Sequence, residues 1–212
     1  MLSKSISKNS AILAMFAIAT TAAVTMTHIF TKPAIELNKK QQLMSTLSQV
    51  LPETEYDNIL YLDCVVINES YLNHATDSKV YRATKSGKPV ALLIQSTAPD
   101  GYSGSIEVLS ASYVDGTIAG VRVLEHKETP GLGDKIEIKR SDWITSFNGL
   151  RVESIKDKRW AVTKDGGEFD AFTGATITPR AVVNAVKRTS LYVQDNHLAL
   201  FSDKNVCEVA DD

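Results

Sequence analysis

Residues 11–30 form an almost continuous apolar run, broken only by Thr20, Thr21, Thr25, Thr27 and His28. This run constrains the chain more than any other segment. About 20 residues of helix cover roughly 30 Å, the thickness of a bilayer's hydrocarbon core. Threonine hydroxyls can bond back to the helix's own carbonyls, so their cost in lipid is moderate. We expect a single membrane anchor after the polar residues 1–10, which carry Lys4 and Lys8. The rival reading is a cleaved leader with Ala17-Ile18-Ala19 as its processing site. It would leave a short apolar run before the cut, and the uncleaved anchor is preferred. Lys32, Lys39 and Lys40 follow the run, so the positive-inside rule does not decide the orientation. The default for such a layout is a short N-terminus inside and the main domain outside.

With 212 residues, the chain holds one good-sized domain besides the anchor. Lysines and arginines are scattered and the net charge is −2, which argues against a nucleic-acid partner. Cys64 and Cys207 do not form a Cys-x-x-Cys pair, and the four histidines are isolated from one another. A structural zinc site or a thioredoxin-type centre is therefore not expected, and we expect no metal. A Cys64–Cys207 disulfide is open to a domain outside the cytosol, but sequence alone does not decide it.

Residues 33–51 read as a helix, with Leu43, Met44, Leu47, Val50 and Leu51 on one face and Pro52 as its stop. Residues 61–67 form a short apolar run, and 81–84 and 90–95 read as strands joined by Lys85-Ser86-Gly87-Lys88. The clearest hairpin sets residues 105–113 against 117–125 around the turn pair Asp115-Gly116. Ser141 is placed to cap a short helix ending at Phe147. A strand at 160–163 leads into the turn Lys164-Asp165-Gly166-Gly167. The last helix is expected over 179–194, with Thr178 as N-cap and Pro179 in the first position, and Arg180 adding positive charge to its first turn. The acidic residues 202–212 read as a loose tail. Hairpin turns outnumber strand–helix crossovers, so the class is α+β with mainly antiparallel strands and flanking helices.

Two segments carry chemistry. In Asp170-Ala171-Phe172-Thr173-Gly174-Ala175-Thr176 a reactive hydroxyl sits in a glycine-containing turn just ahead of a helix start. Backbone N–H groups and the helix dipole favour a phosphate at such a place. The second segment runs from His126 through Glu128, Thr129, Pro130, Gly131, Leu132 and Gly133. Its glycines bracket an apolar residue and let backbone approach a planar ligand. It matches neither a dinucleotide Gly-x-Gly-x-x-Gly nor a Walker loop.

Asp-x-x-Ser/Thr-Gly-Ala-Thr resembles the flavinylation motif of bacterial FMN-binding subunits. Taken in order with Gly101-Tyr102-Ser103-Gly104, the hairpin 116–121 and the loop 126–133, it is similar to the FMN-binding domain of the Rnf and sodium-pumping NADH:quinone oxidoreductase complexes. The short length and the anchor resemble the G-type component of the Rnf complex. The resemblance implies FMN joined covalently through its phosphate to Thr176, with Thr173, Gly174 and Ala175 shaping the phosphate turn. It implies that Asp170 serves a flavin transferase, and that His126, Glu128, Thr129, Gly131, Leu132 and Gly133 approach the ring. It further implies an electron carrier without a catalytic residue of its own. That carrier would sit on the outer face of a bacterial inner membrane beside subunits of A, B, C, D and E type. The complex would pass electrons between ferredoxin and NAD while moving ions. The expected layout is a cytoplasmic segment 1–10, anchor 11–30, membrane-proximal part 31–100, FMN-binding domain 101–196 and tail 197–212.

Overall fold

A computed structural model describes residues 2–68, 72, 78–204, 206 and 207. It divides into two compact units, Met1–Leu43 and Met44–Asp212. The first helix, α1 (Leu2–Val50), crosses the boundary between them. Two expected segments, the anchor and the helix at 33–51, are thus one element with Pro33 inside it. A proline there removes one backbone donor.

In the first unit the apolar side chains stand outward: Phe16, Ile18 and Phe30 are 65 %, 70 % and 75 % exposed. The helix is long and apolar enough to cross a membrane. The threonine hydroxyls satisfy themselves as expected, Thr20 on the Phe16 carbonyl at 2.9 Å and Thr27 on the Ala23 carbonyl at 2.8 Å.

The second unit opens with the last turn of α1, whose Leu47 and Val50 are buried together with Leu51 just beyond. This turn lies against the fifth strand. A Cβ on Gly120 would stand 2.5 Å from the Val50 carbonyl, so only glycine admits the approach. Arg122 fastens the same contact by donating to the Gln49 carbonyl and side-chain oxygen, both at 3.3 Å.

The described residues form a five-stranded sheet of β1 (Cys64–Ile67), β2 (Ser78–Lys85), β3 (Lys88–Ala98), β4 (Ile106–Tyr113) and β5 (Ile118–Glu125). Every neighbouring pair is antiparallel and strand order follows chain order. Both expected hairpins are present, since their turn residues match the twist that a tight hairpin demands. Ser86 and Gly87 both take positive φ, 52° and 72°.

Helix α2 (Ile177–Ser202) packs across β3 and β4. Its first half, through Val182, Val183 and Val186, joins Ile106, Val108, Ile118 and Val121 to an aromatic group of Trp143, Phe147, Trp160, Phe169 and Phe172. Its second half, through Tyr192, Val193 and Leu200, meets Val65, Val80, Leu92 and Ile94. Each buried aliphatic side chain contributes roughly 1.5–3 kcal/mol of transfer free energy.

Three readings need correction. Residues 160–163 are not a strand. Val162 makes one isolated bridge to Phe169, and Thr163–Asp165 is a 3-10 turn. Trp160 and Val162 are apolar because they enter the aromatic core, not because they alternate across a sheet. The last helix starts earlier and ends later than the expected 179–194. The tail is tied at Cys207, which is bonded to Cys64, while Val206 donates to the Cys64 carbonyl at 2.9 Å. Residues 205 and 208–212 lie outside those described. Ser141 does cap Asp142–Phe147, accepting the Trp143 amide at 3.0 Å, and that segment is a 3-10 helix.

Candidate functional site

The site forms where α2 begins. Trp143 reaches from the 3-10 helix Asp142–Phe147 and donates its indole N–H to the Asp170 carbonyl at 2.9 Å. Phe172 packs edge-on against the same indole, centroids 5.1 Å apart. The chain then turns sharply over four residues. The Ala175 amide donates to the Phe172 carbonyl at 3.1 Å, and Gly174 supplies the positive φ of 80°. A side chain at that angle costs roughly 1–2 kcal/mol. Thr173 and Gly174 are exposed, and Ala175 and Thr176 half-buried. A cleft of about 410 Å3 adjoins the turn, bordered by Trp143, Asp170 and Phe172.

Thr176, not Thr178, stands at the helix boundary. An N-cap threonine ordinarily folds its oxygen over the first-turn amides. Thr176 does not: its side chain makes no capping bond. Its Oγ1 instead accepts from the Lys164 ammonium at 2.8 Å. Thr178 lies one turn position inside the helix, fully buried, and gives its hydroxyl hydrogen to Glu128 Oε2. Pro179 follows in the first turn, where an amide has no helical partner to lose. Arg180 is committed elsewhere, its guanidinium holding both oxygens of Asp165 at 2.6 and 2.9 Å. That pairing lowers the Asp165 carboxyl and raises the Arg180 guanidinium from their ordinary values.

The loop after β5 meets this turn. Leu132, 42 % exposed, lies 3.6 Å from where a Cβ on Gly174 would stand. Gly133 is buried, and a Cβ there would meet the Thr178 hydroxyl at 2.9 Å. Glu128, 5 % exposed, accepts the Ser103 amide at 2.9 Å besides the Thr178 hydroxyl, so one carboxylate joins three segments distant in sequence. His126 shapes the loop from its base. Nδ1 accepts the Glu128 amide at 3.0 Å, which leaves Nε2 to donate to Glu137 at 2.6 Å. Asp134 accepts the Gly131 amide at 2.8 Å, and Thr129 accepts the amides of Leu132 and Gly133 at 3.1 Å through its carbonyl.

The two sequence motifs therefore converge. Thr173 and Gly174 face solvent and Ala175 and Thr176 are half-buried, with Leu132 against Gly174, while His126, Glu128 and Gly133 are turned to holding the loop. Sequence reading missed Lys164, Asp165 and Glu137. In sequence Lys164 and Asp165 read as a plain turn, and no spacing places a turn at 164 against a hydroxyl at 176. Among the described residues no group of three or more His, Cys, Asp or Glu is arranged to hold a metal ion.

A half-buried hydroxyl at a helix N-terminus with an ammonium on it, and a glycine turn against Leu132, lie in the part of the chain that matches a cofactor-binding family. Residues 101–190 match the FMN-binding domain family, and residues 1–50 match the RnfG N-terminal region. The G-type component of the ion-translocating oxidoreductase complex of Pseudoalteromonas atlantica is 49 % identical over 203 residues, 95 % of this chain and 94 % of its own. Its counterpart in Vibrio vulnificus is 46 % identical over 202 residues, covering 95 % and 96 %. That of Aliivibrio fischeri (strain ES114) is 51 % identical over 182 residues, covering 85 % and 87 %. The chain belongs to the family of G-type components of ion-translocating oxidoreductase complexes. The expected fold class and the expected family both hold.

Proposed function

We propose that this chain is a membrane-anchored electron carrier that holds FMN through a phosphoester on Thr176, within a complex coupling electron transfer between ferredoxin and NAD to ion movement. The observation that carries the reading is the Thr176 hydroxyl. It stands at the N-terminus of α2 inside the matched FMN-binding region, unused for capping and in contact with an ammonium. The residues fit the group. Small residues, Gly174 with its φ of 80° and Ala175, precede the oxygen, and the first-turn amides and dipole favour an attached phosphate. The flavin, when bound, supplies the redox chemistry. The protein holds its phosphate at Thr176 and offers Thr129, Gly131 and Leu132 to the ring, with His126, Glu128 and Gly133 keeping that loop in place.

A flavin held only by weak contacts is lost where no free pool replaces it, and an ester removes that loss. The Cys64–Cys207 disulfide supports an oxidising compartment for the second unit, hence a domain outside the inner membrane with residues 1–10 inside. Maturation then requires a separate flavin transferase acting there on FAD, with Asp170 as a contact for that enzyme. Partners in electron transfer are the other membrane subunits of the complex.

Thr176→Ala is expected to abolish the adduct while leaving the fold intact, read as the mass of the denatured chain from cells making the transferase. Thr173→Ala weakens attachment without removing the acceptor. Loss of the adduct in Thr173→Ala together with its retention in Thr176→Ala would overturn the assignment.

A further inference from the structure

The Lys164 side chain lies 2.8 Å from the Thr176 oxygen. Three local features set it there. Thr163–Asp165 is a 3-10 turn closed by Gly166 in the left-handed region. Gly167 donates back to the Val162 carbonyl at 3.1 Å, and the Gly167 position touches the Ala161 carbonyl so closely that no side chain fits. Asp165, next in sequence, is locked to Arg180 on the first turn of α2. The turn carrying Lys164 is thereby fastened to the helix that carries Thr176. The Arg180 charge is consumed in the fastening, and Lys164 is the cation left in contact with the hydroxyl.

We infer that Lys164 is the phosphate-anchoring residue of this site: its ammonium binds the non-bridging oxygens of the phosphate as the bond to Thr176 forms, and pairs with the finished diester. The inference rests on the reading of Thr176 as acceptor. In the transfer the Thr176 oxygen attacks the flavin-side phosphorus of FAD. The O–P bond forms as the pyrophosphate P–O bond breaks, AMP leaves with that electron pair, and the hydroxyl proton passes to a base of the transferase. Nothing is oxidised or reduced. Negative charge builds on the phosphoryl oxygens during attack, and a donor already in place stabilises it without reorganisation. The finished diester carries one negative charge, which one ammonium neutralises. Because Lys164 donates to the oxygen, it leaves the hydroxyl hydrogen free for removal.

The test uses the full-length chain in detergent with FAD and purified flavin transferase, following adduct formation by intact mass. Lys164→Met is expected to slow attachment about tenfold to hundredfold, the weight of one charge-assisted hydrogen bond. Lys164→Arg restores most of the rate, because it keeps the charge within reach. Added salt slows the wild-type chain and leaves Lys164→Met nearly unaffected. Attachment to Lys164→Met at the wild-type rate would overturn the inference, as would Lys164→Arg as slow as Lys164→Met. Thr176→Ala separates the two levels. An adduct that persists in Thr176→Ala sinks the acceptor assignment itself, whereas an adduct confined to Thr176 but indifferent to residue 164 sinks only the role of the lysine.

Discussion

Replacing both Cys64 and Cys207 by Ala removes a cross-link closing a loop with a sequence separation of 143 residues. Loop-closure entropy then returns to the unfolded chain at about 17 cal/mol/K, about 5 kcal/mol at 25 °C. The folded side changes little, because the tail has other holds. Arg82, 8 % exposed, donates to the Asp203 carbonyl at 2.7 Å and to those of Leu200 and Phe201 at 3.3 and 3.4 Å, while pairing with Asp63. Native disulfides typically deliver about 2–5 kcal/mol, so the entropic figure is an upper value. Urea unfolding in detergent, followed by tryptophan fluorescence, isolates the relevant unit, since Trp143 and Trp160 both lie in its aromatic core. With a slope of about 2 kcal/mol per molar urea, the midpoint falls by roughly 1–2.5 M. The slope also rises, because the uncrosslinked denatured chain is more expanded. A midpoint shift below about 0.3 M would refute the reasoning, for it would mean that the unfolded ensemble is already confined without the bond.

Phe147→Ala removes a fully buried ring that stacks on Phe169 at 4.6 Å and on Trp160 at 5.9 Å. A loss of about 3–5 kcal/mol is expected in the same urea experiment. Asp157 accepts from the Arg159 guanidinium and from the amides of Glu153 and Arg159, which hold its carboxyl down at about 2. A depressed carboxylate stabilises the fold above its ordinary value of 3.8, and that contribution is lost as pH falls toward about 2. A carboxyl-carbon NMR titration should place its midpoint there, and Arg159→Met should move it upward; an ordinary midpoint in the native chain contradicts the geometry.

The hairpins were readable in the sequence because Ser86-Gly87 and Asp115-Gly116 state their turns locally. The start of α2 was not. Two threonines and a proline offered Thr178 as the cap, but Glu128 takes that hydroxyl from 50 positions away, and local pattern does not contain such a partner. Residues 160–163 misled for a related reason: Trp160 and Val162 are drawn inward by Phe147 and Phe169 through tertiary packing rather than by a strand. At the site, the order of the two motifs was legible. The meeting of Leu132 with Gly174, and the lysine over the oxygen, depend on where α2 lands on β3 and β4.

A sheet whose strands are laid down in chain order can assemble as the polypeptide emerges from a ribosome or an export channel, each new hairpin adding to the last. Cys64 escapes this schedule. It enters the first strand, yet its mate arrives only after four more strands and the final helix have passed. Until then it is a lone thiol with nothing native to join. The covalent lock therefore closes last, over a sheet and a helix already laid down.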